Sequence, residues 1–291
     1  MDSKDFRLLA ALSGDCRQSY LSLGRKVSLS APVVQIRLAR LKRLGILQGF
    51  QLSPDPGIFG RDDAILLYTG QYSREDARRI VVLPNVVGVA LKVDGGLSVR
   101  VWPRQGEDAS KSVKFEMKKE PSWQTFTPHP KLSNVSYLDL TLIDALLDDP
   151  RAPLKALIST TGLSPKTIRK HLDSLLRNRL ISPRPRLGAF TDTGELVFQL
   201  IVFGRVPMEN LREILKDPIL MTRMEEPPTK NLLCRASDLN DAMSKTQAVE
   251  KLSGVENATI TLNREFFVAT DFLHRLVREE MNQKNHLPLQ I

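Results

Sequence analysis

Two short stretches hold side chains suited to reading a polyanion: "SAPVVQIR" (30–37) and "SPKTIRK" (164–170). Gln35 carries a carboxamide that pairs bidentately with adenine. Arg37 and Arg169 carry guanidinium forks matched to guanine, and Val33 offers a methyl surface to thymine. Lys166 and Lys170 are point charges better suited to phosphates. Arg40, Thr167 and the opening serines Ser30 and Ser164 complete the set expected to face DNA.

Bond-making chemistry is thinly supplied. Of the four histidines, His129 lies in a polar stretch, His171 inside a helical pattern, His274 in the last helical pattern and His286 in the tail. None falls on a predicted strand. No Ser-His-Asp order, phosphate loop, HExxH or paired-cysteine motif occurs. Cys16 and Cys234 stand far apart, too few for a disulfide framework or a zinc site, and read as reduced thiols. No catalytic residue, metal ligand or cofactor is therefore expected, and the chain reads as a non-enzyme.

The elements that must hold the two stretches come from a duplication. Residues 5–47 shifted by 134 positions fall on 139–181 without a gap. Asp5 meets Asp139, Leu12 meets Leu146, Arg17 meets Arg151, Ser30 meets Ser164, Leu38 meets Leu172 and Leu41 meets Leu175. Such a repeat fixes the architecture before any single element does. In the first copy Phe6, Leu8, Leu9 and Leu12 form a helical stripe. A second short helix, capped by Ser19, has Leu21, Leu23 and Val27 as its expected inward residues. Ser30 is expected to cap a third helix with Pro32 in its first turn, burying Val34, Leu38 and Leu41. The second copy repeats the plan, with Ile168, Leu172 and Leu175 inward and Ser164-Pro165 opening its third helix. Ile46-Leu47 and Leu180-Ile181 are then each expected to begin a wing strand.

Charge follows the repeat. Residues 1–60 hold nine Lys/Arg against four Asp/Glu and 131–190 hold ten against five, whereas 191–291 are net acidic. A basic excess that sits almost wholly in the two copies is an electrostatic footprint for a polyanion. No apolar run approaches a membrane span, and "MDSKDFRLL" carries acidic residues where a signal peptide would be basic then apolar. A cytoplasmic protein without membrane contact is expected.

Between and after the copies, strands alternate with short helices. "AILLYTGQYS", "REDARRIVVL", "NVVGVALKVDG" and "LSVRVWP" read as β-α-β-β, with Asp94-Gly95-Gly96 a hairpin signal. Residues 104–128 look degenerate, with only "SVKFEMK" strand-like. The second half reads β-α-β-β-α-β, the ferredoxin-like order, with 255–268 as its last strand and 270–284 a closing helix. The expected divisions are 1–58 (first winged helix-turn-helix), 59–126 (degenerate ferredoxin-like domain), 127–136 (linker), 137–190 (second winged helix-turn-helix) and 191–291 (ferredoxin-like effector and assembly domain). The fold class is α+β.

The stretch "SYLSLGRKVSLSAPVVQIRLARLKRLGILQGF", with its early Asp and the Gly45-Ile46-Leu47 exit, resembles the winged helix-turn-helix of the Lrp/AsnC (feast/famine) regulators of archaea and bacteria. The second copy departs at Asn178-Arg179-Leu180-Ile181 and at "SPRPRLGAF". The resemblance implies a nucleoid-associated, DNA-binding transcriptional regulator, built here as two such subunits fused head to tail. It further implies double-stranded DNA as partner, a small effector such as an amino acid, and assembly as a homodimer or internal pseudodimer. Two other readings stay open: a tandem winged-helix protein-interaction module, and a siroheme-decarboxylase-like enzyme of the same fold.

Overall fold

The computed structural model describes residues 1–188 and 194–285; Ala189 and Phe190 of the rewritten exit, and His286, lie outside them. In the first half the elements are α1 (Ser3–Gly14), α2 (Tyr20–Val27), α3 (Ala31–Arg43), β1 (Leu47–Pro54), β2 (Asp63–Tyr68), α4 (Arg74–Val81), β3 (Val86–Lys92), β4 (Leu97–Val101), α5 (Lys111–Met117) and β5 (Trp123–Thr127). The second half comprises α6 (Tyr137–Asp148), α7 (Leu154–Thr161), α8 (Pro165–Arg177), β6 (Ile181–Leu187), β7 (Leu196–Gly204), α9 (Met208–Leu215), β8 (Ile219–Glu225), β9 (Pro228–Ala236), α10 (Leu239–Glu250), β10 (Val255–Thr261), β11 (Asn263–Val268) and α11 (Thr270–Asn285).

The duplication is reproduced down to its caps and turns. Both α1 and α6 start in a reciprocal capping box, Asp2 with Asp5 and Ser136 with Asp139, which satisfies two otherwise free N–H groups. After the second helix the chain turns through a left-handed residue, Ser28 (φ 56°) in one copy and Gly162 (φ 69°) in the other. After the third helix it does so again, at Gly45 (φ 70°) and Arg179 (φ 57°). Geometry is shared even where glycine is not. Leu23, Val27, Val34, Leu38 and Leu41 are buried as expected. Leu21 departs from expectation: it is 56% exposed, because α2 turns it to solvent. Ser30 also departs, since it precedes α3 without a side-chain cap bond, whereas Ser164 does accept from the Thr167 N–H.

Neither wing is built within its own copy. β1 and β6 pair antiparallel with each other, Phe50 opposite Pro185 and Gln51 opposite Arg184. Under the 134-residue shift those two pairs exchange, so the ribbon carries a pseudo-two-fold axis at its centre. A lone strand leaves its ladder unpaired, and the fused copy supplies the partner.

Each sheet domain has the strand order expected of a ferredoxin-like fold: β3-β4-β2-β5 in the first and β10-β7-β9-β8 in the second. The stretch that looked degenerate is complete but short. "SVKFEMK" is not a strand: it forms α5, with Val113 buried beneath it, and the last strand is β5. Residues 255–268 are likewise two strands rather than one. After Leu262 the chain leaves the second sheet, and β11 adds to the first beside β3, Phe266 opposite Ala90.

The halves are cross-packed. The core of α1–α3 continues onto Val197, Ile219 and Leu233 of the second sheet. The core of α6–α8 continues onto Val87 and Trp102 of the first sheet domain and onto Phe272, Leu273, Leu276 and Val277 of α11. Between the sheets, Trp123 meets Phe203 edge-on at 5.1 Å, and Phe126 and Glu226 exchange backbone hydrogen bonds of 2.8 and 2.9 Å.

Candidate nucleic-acid interface

Reciprocal contacts across the pseudo-axis tie the α1–α2 connection of one unit to the α6–α7 connection of the other. Arg17 donates to the Pro150 and Ala152 carbonyls at 2.5 and 2.9 Å. Its repeat equivalent Arg151 reaches the Gln18 carbonyl at 3.5 Å and stacks over the rings of Tyr20 and Phe50. These two arginines are therefore structural, and burial lowers the pKa of Arg17 from its usual value.

On α3, Ser30, Val33, Gln35 and Arg40 are exposed, with Val34, Leu38 and Leu41 holding the opposite side in the core. On α8, Ser164, Lys166, Arg169 and Lys170 are exposed over buried Ile168 and Leu175. Thr167 is half-buried and tied to Ser164, its N–H donating to the serine oxygen at 3.2 Å, so its part is in capping.

Arg37 is placed otherwise than expected. It turns back to α1, its Nη1 lying 2.8 Å from Asp2 and 2.8 Å from Asp5, whose carboxylate is 1% exposed. Hydrogen bonds donated to Asp5 and Asp2 raise the Arg37 pKa above its ordinary range. Its Nη1 is shared by the two carboxylates, which draws the guanidinium toward α1.

Lys42 lies over the Phe50 ring at 5.9 Å, while other cations of the two helices are unpaired. Among the described residues Arg40 and Arg43 on α3, and Lys166, Arg169, Lys170 and Arg177 on α8, enter no ion pair. Exposed cations without protein partners keep their full charge for an external anion. Sequence reasoning missed one outward residue, Ile36, 68% exposed three positions from Val33. The i, i+3 spacing was the available signal.

The three described histidines, His129, His171 and His274, each pair with a carboxylate. His274 on α11 places Nδ1 2.6 Å from Asp144 and Nε2 3.0 Å from Asp148, joining α11 to α6. His171 meets Asp139, and His129 Nδ1 lies 3.2 Å from Asp55. Burial pushes both cysteine thiols up to about 12, leaving them protonated at neutral pH. Among the described residues no cluster of His, Cys, Asp and Glu is arranged for a metal, and no helix is long and apolar enough to cross a membrane. The Asp94–Gly96 stretch is a hairpin turn between β3 and β4, with Gly95 (φ 84°) packed so closely on Gln71 that a Cβ would lie 2.4 Å from its oxygen.

Residues 1–42 match the AsnC-type helix-turn-helix domain family, and residues 136–182 match a winged helix-turn-helix DNA-binding family. The first helical unit is thus similar to the AsnC type and the second to winged helix-turn-helix domains. Over 60 residues the chain is 38% identical to the HTH-type transcriptional regulator Rv2324 of Mycobacterium tuberculosis, covering 21% of this chain and 40% of that protein. Against the HTH-type transcriptional regulator Ptr1 of Methanocaldococcus jannaschii the identity is 33% over 67 residues, 23% of this chain and 45% of that protein. The chain thus spans less than half the length of the curated relatives it matches. Among solved structures, the siroheme decarboxylase NirDL superposes over 98% of this chain and 100% of that one, at 12% identity and a TM-score of 0.47. E. coli AsnC covers 43% of this chain and 89% of its own, at 21% identity and a TM-score of 0.30. Likenesses at that level add nothing to the fold already described.

Proposed function

We propose that this chain is a non-enzymatic transcriptional regulator that grips double-stranded DNA with two unlike winged helix-turn-helix units. The observation that supports it most is the set of exposed, unpaired cations on the outward sides of α3 and α8, held by a shared ribbon and reciprocal arginine contacts. Ordinary helix-turn-helix dimers present two such helices to half-sites about one helical turn apart. Here one chain supplies both, as an internal pseudodimer, so its two half-sites need not be alike. The reading extends to a cytoplasmic, nucleoid-associated protein whose sheet domains are the place for a small effector such as an amino acid.

The decarboxylase alternative needs room for a tetrapyrrole beside the sheets. Between the sheets Trp123 packs on Phe203 and Phe126 bridges to Glu226. The cavity beside them, lined by residues such as Ile65, Leu67, Thr125, Ile201 and Asn231, has no histidine among the described residues of its lining, which favours the regulator. The interaction-module alternative does not call for cations left unpaired on both helices.

Titration of genomic promoter fragments at two salt concentrations tests the proposal. Each phosphate neutralised contributes about −0.9 to the slope of log K against log salt. A steep negative slope is expected. Failure to bind at low salt, or a flat response, overturns it.

A further inference from the structure

The two recognition helices differ on their outward sides in one consistent direction. Val33 and Ile36 stand 37% and 68% exposed on α3, three residues apart and so on one helical face. The repeat register places Thr167 and Lys170 at those positions on α8. Leu21 on α2, 56% exposed, has Lys155 as its equivalent, and Gln35 has Arg169. Large aliphatic side chains turned to water contribute nothing to the core of their own unit. The neighbouring cations Arg40 and Arg43 are free, which marks the surroundings as suited to a polyanion rather than to an apolar protein face.

We infer that the first unit reads an A·T-rich half-site through thymine methyl groups packed on Val33 and Ile36, while the second reads a guanine-containing half-site through Arg169. This rests on the DNA-binding reading above and adds what each half-site contains. Thymine alone presents a methyl group in the major groove, adenine is matched by a carboxamide, and guanine calls for an arginine fork. The α3 unit has the aliphatic pair and Gln35 outward, with its one arginine of the first two turns locked to Asp2 and Asp5. The α8 unit has Arg169 free and no aliphatic pair. The α8 unit thus has Arg169 where the α3 unit has Gln35, and Thr167 and Lys170 where α3 has its aliphatic pair, so the operator is asymmetric in composition as well as sequence.

Selection from randomised DNA with the full-length protein gives the bound sequence. The thymines of its A·T-rich half are then replaced one at a time by uracil, which removes only the 5-methyl group. At least one replacement is expected to weaken binding about fourfold, the effect of one buried methyl. Ile36→Ala, an exposed substitution, is expected to abolish that sensitivity without changing sensitivity to replacement of the guanine in the other half. If selection yields two halves of like composition, or if no uracil replacement matters, the inference fails while DNA binding stands. If sensitivity persists in both Ile36→Ala and Val33→Ala, it fails as well. If no DNA is retained at low salt and α3 binds only protein, the DNA-binding reading and the inference fall together.

Discussion

His171 Nδ1 lies 2.8 Å from Asp139 Oδ1, and 134 residues earlier Arg37 Nη1 lies 2.8 Å from Asp5 Oδ1. In both units a nitrogen base from the third helix is bonded to the acidic residue that closes the capping box of the first. The duplication thus preserved a clamp between the first and third helices while changing its chemistry. A guanidinium is charged at every physiological pH; an imidazole is not.

Removing the clamp from the first unit isolates a buried carboxylate. Arg37→Ala leaves Asp5, 1% exposed, without its cation. The expected cost is about 2 kcal/mol, the penalty for an uncompensated buried charge. Urea denaturation measures it, and a loss below about 0.5 kcal/mol would show that Arg37 is free to act elsewhere.

In the second unit acid should undo the clamp. Burial, the largest influence on Asp139, pushes its pKa up, but hydrogen bonds from Ser136 and His171 outweigh it, and the pKa is lowered. A depressed carboxylate contributes stability that is present above its unfolded value, about 3.9, and is lost as pH falls through the lower folded value. Asp139→Asn is expected to destabilise at neutral pH and to flatten the acid limb of the stability curve. An unchanged acid limb would remove Asp139 from the account.

The docking of α11 on α6 should weaken in alkali instead. Burial, the largest influence on His274, lowers its pKa, yet hydrogen bonds to Asp144 and Asp148 raise it overall above the ordinary histidine value. Stability from a raised histidine is complete below the unfolded value, about 6.5, and is lost as pH rises through the folded one. Protection factors of the α11 amides, with exchange corrected for its intrinsic base catalysis, are expected to fall across that window, and His274→Gln to abolish the fall. Protection factors equal on both sides of the window in the unmodified protein would contradict this.

Arg179 holds a left-handed conformation that its equivalent Gly45 adopts freely. A residue with a Cβ loses about 1 kcal/mol there, and glycine returns part of that through its freer unfolded chain. Arg179→Gly is therefore expected to gain about 0.5 kcal/mol, read from the shift in thermal midpoint. A drop in the midpoint would mean that the Arg179 side chain contributes more than its backbone costs.

The repeat, the helices of both units and their inward residues were legible in the chain because they depend on local spacing. A helix buries Val34, Leu38 and Leu41 whatever lies beyond it. The order of the second sheet domain was legible for the same reason. Strand pairing was not. β1 with β6, and β11 with β3, join segments more than a hundred residues apart, and no local period says which edge a strand will find. The short α5 was misread because seven residues carry too little of either period to separate helix from strand. The side chains of the interface followed the same division. Residue type and spacing placed Gln35, Arg40, Lys166, Arg169 and Lys170 on outward faces. Only the packing of α3 on α1 decided that Arg37 belongs to Asp2 and Asp5, because a long side chain at the margin of a helical face goes to whichever charge the fold brings within reach.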